Sequence, residues 1–419
     1  FQISANQYSR IKAMMRTGTV TVQGKIDATL HPFALTLVHA YIRGTSEPQR
    51  EVLLTAHLDH PKWSANDNAS GSGAMLEIVR ALKTLIAAKK IPAPERTLHF
   101  LWVPEFFGTM AWVAQHPDVR RCGDWDEPRN LGIVKPDAKS PCIVANLNLD
   151  MVGEDTVKTN SRFYITRTPD SVPSFLDPLL EDVMQQTREA NLYAPAGTRH
   201  HWHPEMIAYT QGSDHDIFLG LGVPGAMFGH DPDWTHHSSE DTLDKTDPSE
   251  FRRVGTLAAA AAWWMAANPE RWDGHQVFWA ESRNASRYAH RLQHARLTQH
   301  PGQKIFEDLE EQLERPPAVP GPRRRALLPF TSSSLENLNE ADRKLWNEQD
   351  ARFSGGDSQL LPTEPNFDLI VFEAVNFMDG RRDARQIARL LSAEYLLEID
   401  EAWVKRLIEV LARQGLVKP

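Results

Sequence analysis

The chain has 419 residues, 41% hydrophobic and 24% charged, with a formal net charge of -9. That length allows two or three domains and at least one large core, and the composition favours neither a disordered chain nor a membrane protein. The acidic balance argues against nucleic acid as a partner, since phosphate binding wants a basic surface; no apolar run reaches the roughly 20 residues of a membrane helix.

The first residue is Phe1, so the native polypeptide is expected to extend upstream or to have been processed. An export signal would be lost with that part, which leaves the compartment open. A helix is predicted over 6–15 and a strand over 19–24. The mostly apolar run 51–57 suits a strand covered on both faces. Over 71–90, Ala74, Met75, Ile78, Val79, Leu82, Leu85 and Ile86 make one helical face, which Pro92 and Pro94 end. Strands follow at 97–103, 142–150, 163–166 and 225–228, with helices at 174–190 and 249–267. Strands alternating with long helices predict an α/β domain with a mixed, largely parallel sheet flanked by helices. Trp112, Trp263 and Trp264 fall at helical core positions. Cys122 and Cys142 are too few for a disulfide framework and do not settle the redox compartment.

After about residue 270 the character changes. Residues 283–315 suit a solvated helix, and the Pro- and Arg-rich run 315–325 reads as a linker. Three helices are predicted at 368–378, 384–394 and 401–414, with a turn at Asp379-Gly380. They resemble a winged-helix module, or equally a three-helix packing appendage. The expected domains are 1–270, 271–335 (helical segment and linker) and 336–419. There is no internal repeat.

Chemistry-bearing residues gather where strands end, as ligands do in open α/β sheets. His57 and Asp59 close one strand, and Asp67 lies in the loop before the next helix. Glu105 and Asp150 end two further strands, and His237 sits in a polar loop after residues 225–228. Imidazoles and carboxylates converge mainly on metal ions. This set would hold two zinc ions about 3.5–4 Å apart and activate a water for amide hydrolysis. Asp67 is read as a ligand rather than a helix cap, while His236 competes with His237. His60 is read as a solvated or packing residue, the run His200-His201-Trp202-His203 as cleft lining or surface, and Glu154 and Asp155 as capping or solvated.

The series His57-Leu-Asp59, Ala65-Asn-Asp67-Asn-Ala-Ser-Gly71, Pro104-Glu105, Asn148-Leu-Asp150-Met-Val-Gly153 and His237-Ser-Ser-Glu-Asp241-Thr resembles the co-catalytic zinc aminopeptidase family over residues 5–268. The resemblance implies a zinc peptidase domain over 1–270, with Asp67 bridging the ions. His57 and Asp150 would complete one ion, His237 and Glu105 the other, and Asp59 would orient His57. Gly212-Ser213-Asp214-His215 is similar to a supporting segment near the substrate pocket. The family usually has two adjacent glutamates, one the general base and one a ligand. Here Pro104-Glu105 leaves Glu105 to be either, a variant that resembles a subgroup with a C-terminal winged-helix domain. The implied activity is an aminopeptidase acting on peptides, with no nucleic-acid or membrane partner. The alternatives are a glutaminyl-cyclase-like acyl transferase, a carboxypeptidase or deacylase on the same fold, and a catalytically silent binding protein.

Overall fold

The computed structural model describes residues 3–116 except 28, 30, 31, 33, 61 and 63; 119 and 122; 141–267 except 173; 323–324; 338–346 except 345; and 367–419 except 396 and 398. The chain divides into two units, Phe1–Leu35 and Thr36–Pro419. In the first, α1 (Ala5–Met15) is capped reciprocally: Ser4 accepts the N–H of Gln7, and the Gln7 side chain accepts the N–H of Ser4. The strand predicted at 19–24 does not form. Those residues are irregular, with Val22 75% exposed. A strand needs a neighbour for its N–H and C=O groups, and no described strand pairs with this segment.

The second unit is built on β1 (Val38–Ile42), β2 (Glu47–His57), β3 (Arg96–Val103), β4 (Cys142–Leu149), β5 (Arg162–Thr166), β6 (Glu205–Ile207) and β7 (Gly225–Asp231), in the order β1-β3-β2-β4-β7-β5-β6. β2 runs parallel to β3 and β4, β4 to β7, and β5 to β6. Within this sheet, among the described residues, the pairs β1–β3 and β5–β7 are antiparallel. The sheet is therefore mixed and largely parallel, as the sequence predicts.

Alternation along β2 sends Val52, Leu54 and Ala56 to one face and Leu53 to the other. The first face is covered by α2 (Gly71–Ala87), α5 (Leu176–Glu189) and α7 (Pro248–Ala267) through residues such as Met75, Leu179 and Leu257. The other is covered by α3 (Phe107–Gln115) and α6 (His215–Gly220) through Trp112 and Phe218. Trp112 is core as expected, whereas Trp263 and Trp264 are half-buried against the core of the first face. Because β2, β3, β4 and β7 share one direction, their C-terminal ends open along one edge.

Cys122 and Cys142 form a disulfide with Cα atoms 4.8 Å apart. Near the C-terminus, α8 (Phe367–Phe377), α9 (Ala384–Tyr395) and α10 (Glu401–Arg413) share their own core around Ile370, Ile387, Leu391 and Val404. Gly415, at φ +74°, reverses the chain after α10. A short ladder then pairs Arg323–Arg324 with Val417–Lys418. On α8, the fully buried Glu373 accepts the N–H and hydroxyl of Ser171 at 3.2 and 2.7 Å. The neighbouring Phe372 ring lies 5.6 Å from that of Tyr209. The helix expected at 283–315 and the linker at 315–322 lie outside the described residues. Among the described residues, no helix is long and apolar enough to cross a membrane.

Candidate metal centre

His57 is the last residue of β2, Asp150 directly follows β4, and Glu105 follows β3 by two residues. His57 Nε2 lies 3.1 Å from Asp67 Oδ1 and 3.2 Å from Asp150 Oδ1. The second oxygen of Asp67 faces three imidazoles, with Nε2 of His237, His60 and His236 at 3.2, 3.3 and 3.4 Å. Donor atoms thus fall into two groups, each spanning no more than 4.8 Å: His57, Glu105 and Asp150; and His60, Asp67 and His237. Glu105 stands with His57 and Asp150, and His60 takes the place beside His237.

The loop that presents Asp67 is tied down by its own polar residues. Asn68 accepts the N–H groups of Gly71 and Met151 and donates to the carbonyl of Leu149. Asn66 accepts the N–H of Gly153, and Ser70 that of Val152. Short Asn and Ser side chains serve this purpose because they reach backbone groups that the loop leaves unpaired. At Gly71 a Cβ would meet the Leu149 carbonyl oxygen at 2.1 Å, so only glycine lets α2 start so close to the end of β4. From across the cleft, the buried Asp241 carboxylate accepts the N–H groups of Asn66 and Asp67 and the hydroxyl of Ser64.

Asp59 acts through two groups. Its carbonyl accepts the Nδ1–H of His57 at 2.9 Å, which aims Nε2 at the carboxylates. Its carboxylate, 3.8 Å from that ring, instead accepts the N–H of Glu105 at 2.7 Å. Asp214 takes the next N–H, that of Phe106, at 2.9 Å and the hydroxyl of Thr109 at 2.5 Å. Phe106, Met151 and His237 all adopt positive φ, at 52°, 63° and 55°. Non-glycine residues hold that conformation only where their surroundings impose it.

The electrostatics are those of a site rich in negative charge. Burial pushes Glu105 up to about 8, with His57 opposing and the carboxylates of Asp150, Asp214 and Asp67 adding to the effect. Burial likewise lifts Asp214 to about 7. His57 would be lowered by burial, but Asp150 and Asp67 override it and push it up to about 12. Asp67 is held well below the usual carboxylate range, as its bonds to His236 and His57 outweigh burial. The His57 proton here supplies a counter-charge that a dication would supply better. Both ring nitrogens of His60 are buried without a hydrogen-bond partner. Nitrogen and carboxylate donors around such orphaned atoms fit a borderline divalent ion such as zinc.

Sequence reasoning missed His60 and the supporting residues Asn66, Asn68, Ser70 and Asp241. For the four supporting residues the signal was the density of small polar residues in the two motifs, too rich for a solvated loop. Asp155 caps a short helix, α4 (Thr156–Thr159), as expected. Glu154 departs from expectation: it is 1% exposed, and burial pushes it up to about 7. His201 and His203 are exposed, while His200 bonds Thr156 and Thr198 away from the donors.

A protein named "Probable leucine aminopeptidase" from Arthroderma otae is 26% identical over 257 residues, covering 58% of this chain and 62% of that protein. The chain thus spans less than two thirds of the length of this curated relative. Among solved structures, BSAP, a zinc aminopeptidase from Bacillus subtilis, aligns at 20% identity with a TM-score of 0.40, covering 55% of this chain and 50% of its own. Bacteroides thetaiotaomicron glutaminyl cyclase aligns at 18% identity with a TM-score of 0.35, covering 55% and 84%. A sequence model of peptidase family M28 matches residues 38–262, more than half of the chain. That span takes in every donor residue described above, and the chain belongs to peptidase family M28.

Proposed function

We propose that the chain is a zinc-dependent exopeptidase that hydrolyses N-terminal peptide bonds and works with two zinc ions. The observation that carries this reading is Asp67, which offers one oxygen to each of two separate donor groups. Zinc bound there would polarise the scissile carbonyl and lower the pKa of a bound water toward roughly 7. Glu105 is the general base: its carboxylate takes the proton of the attacking water and returns it to the leaving nitrogen. Asp59 and Asp214 fix its backbone for that transfer, and Asp241 fixes Asp67. Beside the donors in sequence, Leu58, Phe107 and Trp234 are exposed apolar side chains suited to the substrate's first residue.

Residues 1–270 form the catalytic domain on this reading and 271–335 the connection. Residues 336–419 are a winged-helix-like module used for packing rather than for nucleic acid, in keeping with the buried Glu373 contact and the acidic chain. The test is zinc content per chain together with hydrolysis of aminoacyl-anilides, for wild type and Glu105→Gln. Two zinc ions with activity that collapses in the variant support the reading. One zinc with cyclisation of N-terminal glutamine would replace it with a cyclase, and no turnover at all with a binding protein.

A further inference from the structure

We infer that His60 is a ligand of the second zinc ion, in the position that a second glutamate would otherwise fill, and that Glu105 stays with the first. The inference rests on the two-zinc reading above and concerns which residues of this chain divide between the ions.

Three observations carry it. First, the donor group that contains His237 contains His60 and Asp67, whereas Glu105 groups with His57 and Asp150. Second, Glu105 is held on that side by its backbone. Asp59 binds its N–H, Asp214 binds the N–H of Phe106, and Phe106 sits at positive φ. Moving this backbone toward His237 would break both hydrogen bonds. Third, His60 lies three residues after His57, with Nε2 3.3 Å from Asp67 Oδ2 and its ring centroid 5.4 Å from that of His237. Its side chain is only 15% exposed, and neither ring nitrogen finds a hydrogen-bond partner. A buried imidazole in that state is unfavourable unless something binds it, and Asp67 and His237 are the donors it faces.

The two ions would then differ in kind. The first has one imidazole, His57, and a carboxylate of its own, Asp150, with Glu105 standing beside it as the base. The second has two neutral imidazoles and only a share of Asp67. Nitrogen-rich sites favour zinc, cobalt or nickel, and carboxylate-rich sites also accept manganese. Manganese should therefore fill the first position and leave the second.

The experiment is zinc titration of metal-free protein by calorimetry, with metal analysis and X-ray absorption, for wild type, His60→Ala, His236→Ala and Glu105→Gln. Far-UV circular dichroism of the metal-free forms checks folding, and His60→Gln serves if His60→Ala fails it. The expected result is two zinc ions in wild type, His236→Ala and Glu105→Gln, and one in His60→Ala. The lost affinity should exceed the roughly 10–100-fold cost of removing an outer partner. X-ray absorption should count three imidazoles over two ions in wild type. A His60→Ala protein with two zinc ions at wild-type affinity overturns the inference, as does loss of one ion in Glu105→Gln together with its retention in His60→Ala. A wild type that binds one zinc rejects the two-zinc reading itself. His60 is then judged on whether His60→Ala keeps that single ion, which would overturn it, or loses it.

Discussion

Asp241 holds the backbone N–H of Asp67 at 2.9 Å across a sequence separation of 174 residues. The same carboxylate binds the N–H of Asn66 and the hydroxyl of Ser64, so one buried charge fixes the loop that carries the shared ligand. Asp241→Ala would leave two backbone donors and a hydroxyl without their partner. It should lower stability by roughly 3 kcal/mol and reduce zinc content. Urea denaturation and metal analysis check this; an unchanged midpoint and full zinc occupancy would refute the role given to Asp241.

Glu105→Gln keeps the shape of the side chain and removes its capacity to take a proton. The turnover number should fall by about 10²–10⁴-fold with little change in KM. Steady-state kinetics on leucyl-anilide provide the measurement.

Removal of metal by a chelator should abolish hydrolysis and lower the melting temperature, since any ligand that binds only the folded state stabilises it by mass action. Zinc should restore both. A melting temperature indifferent to chelator would mean that the donor groups are satisfied by their own ion pairs.

At the C-terminal contact, burial raises Glu373 above its ordinary value of 4.5. The folded state therefore holds this proton more tightly than the unfolded chain does. Its contribution is complete below the unfolded value and is lost as pH rises through the higher folded one. Corrected for the intrinsic base-catalysed rate, the protection of α8 amides should fall as pH rises above the unfolded value in wild type and stay level in Glu373→Gln. Glu373→Ala, which strands the N–H and hydroxyl of Ser171, should cost about 2 kcal/mol at low pH and less as pH rises.

Phe107 and Trp234 are 74% and 78% exposed beside Glu105 and the His236-His237 pair. Phe107→Ala or Trp234→Ala should raise KM for leucyl substrates several-fold while leaving the melting temperature within a degree or two. An equal effect on glycyl substrates would deny them a part in apolar recognition.

The strands β2, β3 and β4 were legible because parallel strands covered on both faces leave continuous apolar runs. β1 was not: Val38, His39 and Tyr41 are exposed at the sheet edge, so its composition carries no burial signal. α3 escaped because Phe107–Gln115 is apolar around most of its circumference, which erases the helical period. At the centre, His57, Asp67, Glu105, Asp150 and His237 could be found because they sit where strands end or in the loops just beyond. His60 could not, since a histidine between Asp59 and Pro61 looks like any loop residue until Asp67 is seen beside it. The segment 19–24 misled for the opposite reason, an alternating pattern with no partner strand.

Gly71 works as a spacer of zero thickness. The Leu149 carbonyl occupies the room a methyl group would need, so the start of α2 and the end of β4 touch with no adjustable layer between them. Asp67 hangs on one of these parts and Asp150 on the other. The width of the metal site is thus set by backbone against backbone, and a single methyl at position 71 would retune it without touching a ligand.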